Sequence, residues 1–140
     1  MILGIDHIGL ATEDPATVAK SLAALGMGKD DDGVAQSYGV ACEFWSYPGS
    51  NRQPAIELVS PVREDSAVTD HLAKRGPGIY HLAFEVDDLA GELAKLRAGG
   101  FIPLDAEPCA GARPGMQVAF MYLAKPAALL IELVQYHAAG

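Results

Sequence analysis

The chain states one pattern twice. Ile5-Asp6-His7-Ile8-Gly9-Leu10 precedes an acidic step and a helical run that stops at Gly26, and Ile79-Tyr80-His81-Leu82-Ala83-Phe84 precedes Asp87-Asp88 and a helical run that stops at Gly99-Gly100. Each copy closes on Ile-Glu-Leu-Val, with Glu57 in the first and Glu132 in the second. Glu57 follows His7 by 50 residues and Glu132 follows His81 by 51, so two His and two Glu hold equivalent places in two equivalent units. Such a duplication sets four metal-ligand side chains around one pseudo-twofold axis. With 140 residues in all, each unit alone stands near the limit of independent stability, so the two should share one core or one sheet.

Local signals outline the same plan in each unit. Residues 3 to 11 read as a strand, then Asp14 fits an N-cap and Pro15 the first helical position. Val18, Leu22 and Leu25 fall on one face of the resulting helix. Residues 34 to 47 read as two strands broken near Gly39, the cluster Pro48-Gly49-Ser50-Asn51 as a turn, and residues 54 to 60 as the closing strand. Residues 61 to 77 form a connector with a short helix that starts near Asp65 or Ser66 and ends by Gly76. The second unit repeats strand, helix (88 to 98), short strand (101 to 104), loop (105 to 116) and two strands (117 to 123 and 128 to 136). The prediction is one α+β domain of two modules, 1–60 and 78–140, with helices on one face of the sheet and the other face curled around a ligand.

A carboxylate inside an apolar strand costs several kcal/mol unless it is protonated, paired or bound to a metal. Glu132, within Leu129-Leu130-Ile131-Glu132-Leu133-Val134, meets that condition, and so does Glu57 within Ala55-Ile56-Glu57-Leu58-Val59. Either one alone reads equally well as an outward-facing residue of a half-exposed strand, and each His alone as an ordinary core or surface histidine. Their equivalence in the repeat favours a shared metal site. Two His and two carboxylates suit Co, Mn, Zn, Ni or Fe, with coordination positions left over for water or substrate. His71 and His137 sit in the connector and the tail and take no role. The net charge of −8 argues against nucleic-acid or anionic-membrane partners. Cys42 and Cys109 lack metal or redox spacing, and with no signal peptide or spanning segment visible they read as free thiols of a cytoplasmic protein.

Several stretches carry a resemblance: Ile5-Asp6-His7-Ile8-Gly9-Leu10-Ala11, Ile56-Glu57-Leu58-Val59-Ser60-Pro61, Arg63-Glu64-Asp65-Ser66, and above all Gly78-Ile79-Tyr80-His81-Leu82-Ala83-Phe84-Glu85-Val86-Asp87-Asp88. The chain resembles the vicinal oxygen chelate superfamily, whose paired βαβββ modules form a cupped sheet around a divalent metal, and within it the methylmalonyl-CoA epimerase family. The resemblance implies His7, Glu57, His81 and Glu132 as metal ligands, Glu132 also as the base that takes a proton beside a carbonyl, an acyl-CoA as the small-molecule substrate, and a homodimer. It also implies a second Glu two residues before a Gly-Val pair. Ser37 stands there in this chain, leaving Ser37 or Glu43 as the second acid or base. Lys125 and Arg113 are the expected substrate-phosphate contacts. A glyoxalase I-like lyase acting on a thiol adduct and a non-catalytic binding protein of the bleomycin-resistance type are the alternatives.

Overall fold

A computed structural model describes residues 1–49 and 54–137. Three helices begin where a short polar side chain takes up a free backbone N–H. The Asp14 carboxylate accepts from the Thr17 amide ahead of α1 (Pro15–Ala24), the Ser66 hydroxyl from the Val68 amide ahead of α2 (Ala67–Arg75), and the Asp88 carboxylate from the Gly91 amide ahead of α3 (Leu89–Ala98). Left-handed glycines, Gly26 at φ 91° and Gly100 at φ 98°, follow α1 and α3.

The strands are β1 (Ile2–Ala11), β2 (Gly28–Ala35), β3 (Val40–Ser46), β4 (Ala55–Pro61), β5 (Gly78–Val86), β6 (Ile102–Pro103), β7 (Cys109–Ala110), β8 (Met116–Leu123) and β9 (Leu129–Tyr136). They form one continuous sheet in the order β2-β3-β4-β1-β5-β9-β8-β6, with β7 paired to β8. β1 runs parallel to β4 and β5 parallel to β9, while β1 and β5 pair antiparallel at the centre. This mixed α+β arrangement matches the fold class expected from the repeat.

The two faces have different occupants. On the convex side Ile131, Leu133, Ala119 and Met121 pack with Leu89, Leu93 and Leu96 of α3. On the concave side Val40, Cys42, Phe44, Val59, Met116, Val118 and Val134 form a second cluster, joined by Val68 and Leu72 of α2. β9 is covered on both faces, so Ile131 through Val134 are all buried, the charged Glu132 included.

Two local expectations need correction. Leu25 does not join the buried face of α1; it is 65% exposed and only Leu22 of that helix is buried. β2 begins at Gly28 rather than near Val34, because the charged run Lys29–Asp32 forms an edge strand whose side chains reach solvent. The turn cluster at 48–51 runs into residues 50–53, which lie outside the described residues. No helix among the described residues is long and apolar enough to cross a membrane. In urea unfolding of the metal-free protein, Leu133→Ala is expected to cost about 3 kcal/mol and Leu25→Ala less than about 0.5 kcal/mol.

Candidate metal centre

Strand register builds the centre from two parallel rows. Phe44, Glu57, Gly9 and His81 lie side by side across β3, β4, β1 and β5. Phe120, Glu132, Ala83 and His7 lie side by side across β8, β9, β5 and β1. The rows repeat one order, phenylalanine, glutamate, small residue, histidine, and run in opposite directions on the same concave surface. The small residues are required by the imidazoles above them. A Cβ on Gly9 would meet the His81 ring at 2.3 Å, and Ala83, beside His7, is wholly buried. Each imidazole meets the phenylalanine of the opposite row edge-on, His7 with Phe44 at 5.6 Å and His81 with Phe120 at 5.3 Å.

All four polar side chains are buried. His7 Nε2 lies 3.1 Å from His81 Nε2, 2.9 Å from Glu132 Oε1 and 3.4 Å from Glu57 Oε1; His81 Nε2 lies 3.2 Å from Glu57 Oε1 and 3.7 Å from Glu132 Oε1. His7, His81 and Glu132 form a compact group able to hold a metal ion, with ligand atoms within 4.8 Å of one another, and Glu57 borders both imidazoles. Nδ1 of His7 faces Asp6 Oδ2 at 2.7 Å, and a carboxylate only accepts, so Nδ1 carries the proton in the neutral ring and Nε2 presents a lone pair to the centre. Glu132 Oε1, close to that nitrogen, has no hydrogen-bond alignment with any partner, and His81 Nδ1 is likewise buried without one.

Lone pairs of two imidazoles and two carboxylates converging in a buried space repel unless a cation lies among them. Two carboxylates with two neutral imidazoles balance a divalent ion, and the mixed nitrogen and oxygen set suits a first-row metal. The residues therefore fit the group. Without an ion, a proton takes part of that role. Burial opposes the charged form of His7, but Glu57, Glu132 and the Asp6 bond raise its pKa well above the ordinary imidazole value. Burial pushes Glu57 up, yet His7 and His81 outweigh it and hold that carboxyl below the usual carboxylate range.

Glu57, His81 and Glu132 line one wall of a cavity of about 260 Å³. The remaining wall is mostly apolar, with Val40, Met116, Val118, Phe120 and Leu130, plus Cys42, Tyr38, Tyr80 and Asp105. Burial, then the charges of Glu57 and Glu132, drive the Cys42 thiol far up, so it stays protonated. Tyr38 donates to Asp105 Oδ2 at 2.8 Å, which also accepts from the Phe120 amide at 2.7 Å. This bond ties the turn between β2 and β3 to the stretch after β6.

Four other residues expected to act at the site are not among those that line the cavity. Ser37 is exposed on the turn before β3 and does not border the cavity. Glu43 alternates with Cys42 and Phe44 along β3, so it leaves by the opposite face and accepts from Trp45 Nε1 at 3.2 Å. Lys125 is exposed on the turn between β8 and β9. Arg113 does not line the cavity, and its guanidinium lies 3.8 Å from the centre of the Phe44 ring. Cys42 was legible from the same period-two alternation that excludes Glu43; Asp6, Asp105 and Tyr136 had no such signal.

Residues 6–120 match the family model of the glyoxalase/bleomycin resistance protein/dioxygenase superfamily. The chain belongs to that superfamily. It is 30% identical over 138 residues to the ethylmalonyl-CoA/methylmalonyl-CoA epimerase of Cereibacter sphaeroides, covering 96% of this chain and 99% of the relative. Among solved structures, a methylmalonyl-CoA epimerase variant of Streptomyces coelicolor in complex with 2-nitronate-propionyl-CoA superposes with a TM-score of 0.86 at 33% identity, covering 99% of this chain and all of the other. The methylmalonyl-CoA epimerase of Mycobacterium tuberculosis gives 0.86 at 29% identity, covering 97% of this chain and 89% of that one.

Metal binding to this superfamily member should be proton-linked. Below the raised pKa of His7 an incoming ion must displace the His7 proton, so affinity should climb with pH by up to about tenfold per unit and level off once His7 is neutral. Glu57 is already ionised throughout that window and adds no slope. Calorimetry in buffers of different ionisation enthalpy should count about one proton released per ion near neutral pH. Gly9→Ala, which pushes the His81 ring aside, should weaken metal affinity by about tenfold or more in the same titration.

Proposed function

We propose that this chain is a metal-dependent isomerase that moves a proton on the carbon next to a thioester carbonyl, with an alkylmalonyl-CoA such as methylmalonyl-CoA as substrate. The observation that carries the reading is the paired His and Glu centre opening on an apolar cavity, in a chain about 30% identical along its length to epimerases of such substrates. His7, Glu57, His81 and Glu132 would hold the ion. When bound, a divalent cation supplies Lewis-acid polarisation of a carbonyl oxygen, which acidifies the neighbouring C–H.

The protein's own groups divide the remaining work. Glu132 takes the proton: its carboxylate borders the cavity beside His81, and its Oε1 would be left to the ion. The apolar wall excludes water from the carbanionic carbon, which strengthens every electrostatic contact made there. Epimerisation also needs a proton delivered from the opposite side. Ser37 and Glu43 do not reach the cavity, so that part falls to another group along the wall, Cys42, Tyr38 or Tyr80. On this reading the protein is a cytoplasmic homodimer that meets its acyl-CoA substrate in solution.

NMR-detected exchange of the α-proton of methylmalonyl-CoA in D2O, with Co- or Mn-loaded protein, tests the proposal. Exchange that needs the metal and falls by about a thousandfold in Glu132→Gln is expected. No exchange by metal-loaded protein would overturn it. Following both diastereomers reads inversion separately from exchange.

A further inference from the structure

The two histidines are equivalent in the repeat but not in their support. Behind His7 stands Asp6, whose Oδ2 lies 2.7 Å from Nδ1; the equivalent position before His81 is Tyr80, and His81 Nδ1 has no hydrogen-bond partner among the described residues. The Asp6 oxygen that faces His7 also accepts from Tyr136 Oη at 2.9 Å, and Tyr136 Oη accepts from Arg113 Nη1 at 3.1 Å. The direction of this chain is fixed by its ends. A guanidinium only donates and a carboxylate only accepts, so Tyr136 must receive from Arg113 and give its proton to Asp6. Asp6 is left as acceptor for His7 Nδ1–H, and the Nε2 lone pair is held toward the centre.

Arg113 reaches His7 by a second route. Its guanidinium sits 3.8 Å over the Phe44 ring, a desolvated cation–π contact, and Phe44 is fully buried with its ring edge-on to His7 at 5.6 Å. The Arg113 side chain is only 19% exposed, and Asp31 at 3.9 Å is the carboxylate closest to an ion pair with it. Arg113 follows Gly111 and Ala112, which form part of the cavity wall, and the Ala112 carbonyl crosses so close to Gly33 of β2 that a Cβ there would meet it at 2.1 Å. The loop before β8 is thus seated on β2 at Ala112 and coupled to the His7 imidazole at Arg113.

We propose that Arg113 is a positioning residue which, through Tyr136 and Asp6 on one side and Phe44 on the other, holds His7 in the tautomer and orientation that ligate the metal, and so joins the placement of the cavity wall to the metal centre. The inference rests on His7 as a metal ligand. It makes the first histidine the fixed ligand of the pair and the second the adjustable one, and it reassigns an arginine expected to contact substrate phosphate.

Co or Zn affinity, measured by calorimetry at fixed pH, is the direct readout because it does not depend on turnover. Tyr136→Phe keeps the ring and removes the hydroxyl that relays the chain; Arg113→Met keeps an apolar stem on Phe44 and removes the donor. Each is expected to weaken binding by about three- to tenfold, with Arg113→Lys intermediate, since removing groups behind a ligand lowers affinity through the ligand. The double variant should lose little more than the worse single one, because both act through the same oxygen of Asp6. In Zn-loaded protein, 15N NMR should show the His7 Nδ1–H exchanging with solvent faster in Tyr136→Phe than in wild type, a change that loss of loop packing alone would not produce. Affinities within twofold of wild type in both single variants, or fully additive losses in the double, would overturn the inference while leaving the metal site intact. Failure of the wild type to bind either ion would overturn the metal reading itself, and this inference with it.

Discussion

Two carboxylates buried within 4 Å of two buried imidazoles are the constraint on which the rest of this molecule depends. Removing an ionised carboxylate from water costs several kcal/mol, and the cost is offset only when compensating charge lies within contact distance. The sheet supplies that distance through register. Parallel pairing of β1 with β4 and of β5 with β9 sets each glutamate one strand away from a small residue and two away from a histidine. A slip of one residue in either pairing would send a whole row to the convex face, where α3 and its leucines pack. The metal centre and the packing of the helices are therefore specified by the same register, and neither can drift without the other.

This also explains which parts of the site were legible in the sequence. His7, Glu57, His81 and Glu132 were visible because a duplicated chain repeats its ligands at nearly constant spacing, and because a charged residue inside an apolar strand calls for compensation. The neighbouring groups carry no such mark. Glu43 looked suitable by charge, but the alternation of β3 turns it away and brings Cys42 into the cavity. Asp6 escaped for the opposite reason. Strict alternation would aim it at the other face from His7, but the pairing of β1 with β5 shifts register between Ile5 and His7, and a bulge of this kind re-aims a side chain. Long-range partners such as Tyr136, 130 residues from Asp6, follow only from tertiary structure.

Duplication gives symmetry to the ligands and leaves their surroundings free to diverge. The rows match in order, with Gly9 of one answering Ala83 of the other, down to the phenylalanine that meets each imidazole. Behind them the match ends: Asp6 corresponds to Tyr80 in the repeat, and the hydrogen-bonded Nδ1 of His7 to a His81 Nδ1 without a partner among the described residues. A symmetric centre would bind a symmetric ion well but would present both sides of a substrate with the same chemistry.

The apolar cavity adds the same asymmetry at the level of charge. Among the described residues that line it, Glu57, Glu132 and Asp105 are acidic and none is a lysine or arginine, so on the proposed reading a bound cation would be the counter-charge nearest a substrate carboxylate there. Asp105 is held by Tyr38 and the Phe120 amide, which leaves the paired glutamates as the carboxylates nearest the ion. On the proposed reading, a bound cation would draw an anionic substrate to the place where its carbonyl is polarised, with its apolar part against Val40, Met116, Val118 and Leu130. Arg113 stands behind the His7 imidazole instead, outside the cavity lining, with its guanidinium hydrogen-bonded to Tyr136 and 3.9 Å from Asp31.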